Sequence, residues 1–341
     1  MSRFLEKAKS LQPELTTLRR ALHAIPEVGK HLPNTAAFLM EKLKEMGYAP
    51  KEISPFGIVA EAGKGTPVFL LRADMDALPV REESGLCFSS QNGCAHVCGH
   101  DLHMAMLLGA AKLLKENEKN LKGTVRFMFQ PDEEGMSGAA DMIAAGVLEQ
   151  VEAALALHVM PGLPTGVIAA ALGPVMASQD RFRLEVTGKG GHGAKPEQTI
   201  DPINAAAHVY LAWQEILARE VKSAEPVVVT VGSFHAGHAA NVIPETAVLE
   251  GTIRTFDKET KHFVKQRLEE IAHATARAFR AKSKLDFYGE IPAVVNEEGL
   301  TRELISHIQE AGLHVVPWEK DTVSEDFSFI SQRVPAALFF L

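Results

Sequence analysis

Three short runs in the first half of the chain are almost wholly apolar: Pro67-Val68-Phe69-Leu70-Leu71, Thr124-Val125-Arg126-Phe127-Met128-Phe129 and Ala153-Ala154-Leu155-Ala156-Leu157. They lack the polar alternation of a strand with one wet face, so they read as strands buried on both sides. Between the first two, Met104, Leu107, Leu108, Ala111 and Leu114 recur at helical spacing. Strand, helix and strand in this order predict an α/β domain built on a largely parallel sheet flanked by helices.

The pattern changes near residue 177. Arg181-Phe182-Arg183-Leu184-Glu185-Val186 alternates strictly, as a strand with one solvated face does. A helix with Ile203, Ala207, Tyr210, Leu211, Gln214 and Leu217 in phase follows, then strands near 226–234 and 246–256, a helix near 260–280 and a strand near 284–288. The order βαββαβ predicts an inserted ferredoxin-like domain over 177–288, within a domain made of 1–176 and 289–341. A chain of 341 residues with 46% hydrophobic content is long enough for two such cores.

Charge narrows the function classes. Lys and Arg total 35 against 43 Asp and Glu, a net charge of −8 that excludes the basic footprint of a nucleic-acid binder. No apolar run approaches the ~20 residues of a membrane span, so no membrane partner is expected. The start, MSRFLEKAKSLQ, lacks the apolar core of a secretory signal. Three cysteines, Cys87, Cys94 and Cys98, make no disulfide framework in a chain this long, which points to the cytoplasm.

The strand ends carry the chemistry. Leu70-Leu71 runs into Arg72-Ala73-Asp74, Phe127-Met128-Phe129 into Gln130-Pro131-Asp132-Glu133-Glu134, and Leu155-Ala156-Leu157 into His158. A fourth group, His96-Val97-Cys98-Gly99-His100-Asp101-Leu102-His103, opens the helix between the first two strands. In open α/β sheets ligands bind beyond the carboxyl ends of the strands, so all four groups gather at one edge. Singly, Cys98 reads as a small buried hydrophobe, His158 as a satisfied core histidine and Glu133-Glu134 as loop charges. Together they are too many costly polar groups at one edge for those readings to hold jointly.

A thiolate with imidazoles suits zinc, and carboxylates widen the choice to manganese or cobalt. Adjacent glutamates can serve different sides, one toward metal and one toward a water that needs a general base. Two rival chemistries are weaker. Gly188-Lys189-Gly190-Gly191-His192-Gly193 fits G-x-G-x-x-G, but its preceding strand alternates and Pro196 interrupts any following helix. No G-x-S-x-G occurs, and Cys98 with His100 two residues away makes an awkward nucleophile and base.

These residues also carry a resemblance. RADMDALP (72–79), HVCGHDLH (96–103), FQPDEEG (129–135), GHGAKP (191–196), NVIPETAVLEGTIRTF (241–256) and SEDFSF (324–329), with Leu157-His158, resemble the amidohydrolase branch of the family that contains aminoacylase, glutamate carboxypeptidase and succinyl-diaminopimelate desuccinylase. Within it the chain looks most like hippurate hydrolase, auxin-conjugate hydrolase and N-acetyl-diaminopimelate deacetylase. The resemblance implies cleavage of the amide bond of N-acyl amino acids at a site with two divalent metal ions, among which zinc, manganese, cobalt and nickel are not distinguished. It implies Cys98, His100, Glu134 and His158 as ligands, Glu133 as general base, and Asp74 as the aspartate that orients the histidine ligand. It further implies that His192 reaches the scissile carbonyl, that Asn241 and Arg254 hold the substrate carboxylate, and that the inserted domain serves as lid and homodimer contact. Family members continue past the strand ending at Leu341 to a late histidine that completes the second metal's shell. Its absence here predicts a weak second metal and keeps open the alternative of a non-catalytic binder of acylated amino acids.

Overall fold

The computed structural model describes residues 3–341, which form two compact units. The first comprises residues 3–175, Val294–Glu319 and Glu325–Leu341. The strands of its main sheet are β1 (Lys51–Ser54), β2 (Gly57–Gly63), β3 (Val68–Asp74), β4 (Thr124–Gln130), β5 (Val151–His158) and β6 (Val167–Ala170), joined by His314–Pro317 and Ala336–Phe340. Its helices include α1 (Arg3–His23), α2 (Pro33–Glu45), α3 (His100–Glu116) and α4 (Gly138–Ala144).

The eight strands lie in the order β1, β2, β4, β3, β5, Ala336–Phe340, β6, His314–Pro317. β3 runs parallel to both β4 and β5, and β5 runs parallel to Ala336–Phe340. Antiparallel pairing joins β1 to β2 and β2 to β4. The parallel centre is what apolar runs without alternation require. Phe127, Met128 and Phe129 are wholly buried, as are all five residues of Ala336–Phe340. On one face α1, α2 and α3 bring Leu22, Leu39, Leu43, Met104 and Leu108 against Phe127 and Phe129. Full burial of each such side chain contributes about 1.5–3 kcal/mol. Further along the same face Leu300 and Leu304 of helix Glu298–Glu310 cover Ala337 and Phe339, and the register aligns Ala337 with Leu155, Leu71 and Phe127.

Register places the chemistry. Asp74 stands opposite Gln130 across the β3–β4 pair, and Phe340 stands opposite His158. β3 meets β5 with Arg72 beside Ala156, so Asp74 and His158 finish at the same level. Three polar strand ends thus share one edge of the sheet.

The second unit, Met176–Ala293 with Lys320–Ser324, has the order strand Ser178–Thr187, helix Pro202–Glu215, strands Val228–Ala236 and Thr246–Thr255, helix Lys258–Ala278 and strand Lys282–Ile291. These strands form an antiparallel sheet in the order Val228–Ala236, Thr246–Thr255, Ser178–Thr187, Lys282–Ile291, a ferredoxin-like arrangement. Asp201 and Asp257 cap the two helices by accepting backbone N–H groups of Ile203 and Thr260.

The first of these helices is turned differently from the sequence expectation. It buries Ala205, Ala206, Val209 and Trp213, whereas Ile203, Tyr210 and Leu211 are exposed. Both faces are apolar, so periodicity alone did not choose between them. Packing did: the two alanines admit a close approach to the sheet, and Trp213 donates its indole N–H to the Leu268 carbonyl at 2.9 Å.

Candidate metal centre

The turn between Cys98 and His100 depends on Gly99, whose φ of 84° is left-handed and where a Cβ would stand 2.3 Å from Val159 Cγ2. That turn sends the Cys98 thiol to 3.6 Å from His158 Nε2. Burial opposes ionisation of Cys98, but the neighbouring His100 and His158 imidazoles outweigh it and hold the thiol below its ordinary value. His158 donates from Nδ1 to the Val159 carbonyl at 2.8 Å, which leaves Nε2 facing the sulfur.

His100 is fixed in the same way. Its Nδ1 donates to the Asp76 carbonyl at 2.7 Å. Its Nε2 is buried without a hydrogen-bond partner, 4.0 Å from carboxylate oxygens of both Glu133 and Glu134. Burial disfavours a charge on His100, yet Asp74, the Asp76 hydrogen bond and Cys98 together raise its pKa well above the usual imidazole value. The cluster is therefore short of positive charge.

The Asp76 carboxylate accepts the backbone N–H groups of Glu133 at 2.9 Å and Glu134 at 3.1 Å. This clamps the loop after β4 so that the two glutamates stand beside His100. Glu133 is 4% exposed; burial first, then the Glu325 and Asp326 carboxylates, hold its pKa well above the ordinary range. Glu134 is half-buried, and its Oε1 has no partner.

Asp74 lies deeper. It accepts from His103 Nδ1 at 2.6 Å and from Arg72 at 2.7 Å, whereas its nearest approach to His100 Nε2 is 3.8 Å. The histidine that Asp74 holds by a hydrogen bond is thus His103. Burial pushes the Asp74 pKa up, but His100, Arg72 and His103 outweigh it and hold the carboxyl well below its ordinary value. Arg72 also donates to Gln130, Glu325 and Asp326, each at 2.9 Å, and Gln130 donates to both Asp326 oxygens.

The remaining expected residues belong to the second unit. His192 and Asn241 are neighbours there: His192 pairs with Val242, and Gly193 N–H donates to the Asn241 carbonyl at 2.9 Å. Both side chains are exposed. Arg254, on strand Thr246–Thr255, is half-buried and donates to Ser324 Oγ. The glycines of the G-x-G-x-x-G match have a packing reason, since a Cβ at Gly188 would meet the Ile200 carbonyl oxygen at 2.1 Å.

A model of peptidase family M20/M25/M40 matches residues 70–341. The chain belongs to this family. The N-acetyl-L-cysteine deacetylase of Bacillus subtilis (strain 168) is 39% identical over 336 residues, covering 97% of this chain and 80% of that protein. The N-acyl-L-amino acid amidohydrolase of Geobacillus stearothermophilus is 40% identical over 305 residues, covering 86% of this chain and 82% of that one. Among solved structures, the YXEP protein of Bacillus subtilis, described as a dinuclear metal binding peptidase from the M20 family, matches with a TM-score of 0.88 at 34% identity, covering 97% of this chain and 89% of that chain. As an M20 family member the protein is a metal-dependent hydrolase.

The residues present fit a divalent cation. Donor atoms of Cys98, His100 and His158 lie within 4.8 Å of one another, and so do those of His100, Glu133 and Glu134. His100 Nε2 and Glu134 Oε1 are buried without a hydrogen-bond partner, which is costly unless a cation completes them. Among the described residues no helix is long and apolar enough to cross a membrane.

Sequence reasoning assigned no role to Arg72, Asp76, His103, Gln130, Glu325 or Asp326. Arg72 was the available signal, because a guanidinium inside an apolar strand must find buried carboxylates. Arg72→Met should destabilise the protein by about 3–5 kcal/mol, since Glu325, Asp326 and Asp74 lose their shared cation. Asp74, held below its ordinary value, adds stability at neutral pH that is lost as pH falls through that lowered value. Removing Arg72 takes part of this away, so the deficit is largest near neutral pH and shrinks on acidification. Urea unfolding of both proteins at several pH values measures it.

Proposed function

We propose that this M20 family hydrolase cleaves the amide bond of N-acyl amino acids, with Cys98, His100, Glu134 and His158 holding two divalent ions drawn from zinc, manganese, cobalt or nickel. The observation that carries the reading is the buried Glu133 carboxyl, with its raised proton affinity, beside the two unpartnered buried atoms His100 Nε2 and Glu134 Oε1. The deacetylase and amidohydrolase relatives, named for N-acetyl-L-cysteine and N-acyl-L-amino acids, support that substrate class.

Cations at this site would polarise the amide carbonyl and lower the pKa of an attacking water. Glu133 takes the proton of that water and delivers it to the leaving amine; a carboxyl with raised affinity suits both transfers. Asp76 fixes where the base stands, because its carboxylate holds the Glu133 and Glu134 backbone N–H groups. Asp74 acts on this geometry through His103. His192 reaches toward the scissile carbonyl, and Asn241 and Arg254 hold the substrate carboxylate, for which a guanidinium offers two parallel donors. The second unit also pairs two copies of the chain into a homodimer. Supporting this are the exposed Ile203, Tyr210 and Leu211 on one helix, and strand Val228–Ala236 at the edge of its sheet with Val228 and Phe234 exposed.

With metal-loaded protein, turnover of a panel of N-acetyl and N-benzoyl amino acids tests the function; absence of turnover across the panel refutes it. Glu133→Gln should lower kcat by about 10²–10⁴-fold with metal content unchanged, whereas Glu134→Ala should lower metal occupancy. Equal metal loss in the two variants would refute the division of roles. Arg254→Ala should raise KM at least about tenfold for substrates with a free carboxylate and far less for their amides. In sedimentation equilibrium Leu211→Glu should shift the protein from dimer to monomer, and a wild-type monomer at high concentration refutes the pairing.

A further inference from the structure

We propose that His103 is a positioning residue that sets the orientation and tautomer of His158 without itself binding metal. The inference deepens the ligand reading given under Proposed function and rests on it.

His103 is 2% exposed and lies among donor atoms that could take a cation with it, since Asp74, His100 and His103 lie within 4.8 Å of one another. Its hydrogen bonds decide otherwise. The backbone N–H of Val159 donates to His103 Nε2 at 2.9 Å, which occupies the ring's acceptor lone pair. The other nitrogen, Nδ1, stands 2.6 Å from Asp74 Oδ1. An ionised aspartate only accepts, so Nδ1 carries the proton and the ring is the neutral Nδ1–H tautomer. Both ring nitrogens are committed, and neither faces the cluster as a free donor.

The consequence falls on the next residue. Val159 follows His158, and its carbonyl accepts the His158 Nδ1–H at 2.8 Å. By holding the Val159 N–H, His103 fixes the backbone that presents this carbonyl. His158 is then kept as the Nδ1–H tautomer, with its Nε2 lone pair toward Cys98 at 3.6 Å. The His103 and His158 rings pack edge to face with centroids 4.7 Å apart, which limits ring rotation. Behind His103, Asp74 is itself held by Arg72 at 2.7 Å. A connected series, Arg72 to Asp74 to His103 to Val159, ends on one metal-type side chain.

The test uses the full chain with zinc as probe. Zinc affinity is measured by competition with a chromophoric chelator in the wild type, His103→Phe, His103→Gln and His158→Ala. Loss of an outer partner of a metal ligand lowers affinity about 10–100-fold. His103→Phe should show a loss in that range with wild-type stoichiometry at saturation. His103→Gln, whose amide can accept from Val159 and donate to Asp74, should recover most of the affinity. Wild-type affinity in a folded His103→Phe overturns the inference. Should that variant not fold, ring ¹⁵N shifts of cadmium-113-loaded wild type decide, with His103 assigned from the glutamine variant: a protonated Nδ1 and no ¹¹³Cd coupling support the inference, and coupling to His103 overturns it. A wild type that binds no zinc, or His158→Ala with unchanged affinity, refutes the ligand reading and this inference together. The unchanged His103→Phe refutes the inference alone.

Discussion

A guanidinium is buried in the middle of a strand, and much of the first unit follows from having to satisfy it. Arg72 is 4% exposed, and its donors reach Asp74 on its own strand, Gln130 on the neighbouring one, and Glu325 and Asp326 from the end of the chain. Removing any one partner would leave a charge or a donor uncompensated in a medium of low polarity. The register of β3 against β4 and the return of the chain at residue 325 are therefore coupled through one side chain. Asp326 extends the same network to the start of α4 by accepting the Ala139 N–H at 2.9 Å.

Above that network the polar groups are arranged by single hydrogen bonds that each settle one question. The Asp76 carbonyl settles the tautomer of His100, the Val159 carbonyl settles that of His158, and the Val159 N–H settles that of His103. The result places imidazoles, a thiol of lowered pKa and carboxylates together with fewer cations than the anions need. Raised pKa values at Glu133 and His100 are two expressions of this shortage: one group retains a proton, and the other gains one. A divalent cation resolves both by supplying positive charge directly, which is the physical basis for membership of a metal-dependent family being visible in the geometry.

Much of the architecture was legible because its signals are local. Runs without alternation demanded a sheet covered on both faces, and strict alternation at Arg181–Val186 demanded a sheet covered on one; both sheets have those characters. Asp74, Cys98, His100, Glu133, Glu134 and His158 were legible as one cluster because they follow apolar strands or open the helix between them. The orientation of helix Pro202–Glu215 was not legible, because two apolar faces give one periodicity and only packing against the sheet distinguishes them. Glu325 and Asp326 were visible as part of a motif, but nothing local says that they meet a residue some 250 positions earlier.

What the sequence determined by itself was the set of residue types delivered to the sheet edge, since a strand's apolar run fixes where its polar end must emerge. Which atom of each residue faces which neighbour was decided only by the tertiary structure. Asp74 could serve either His100 or His103, and the choice fell on His103 at 2.6 Å because Arg72 draws the other carboxylate oxygen inward. Asp76, two residues later, was left to hold the glutamate loop and His100. Hydrogen-bond direction depends on distances of a few tenths of an ångström between elements remote in sequence, and such distances exist only once the chain has folded.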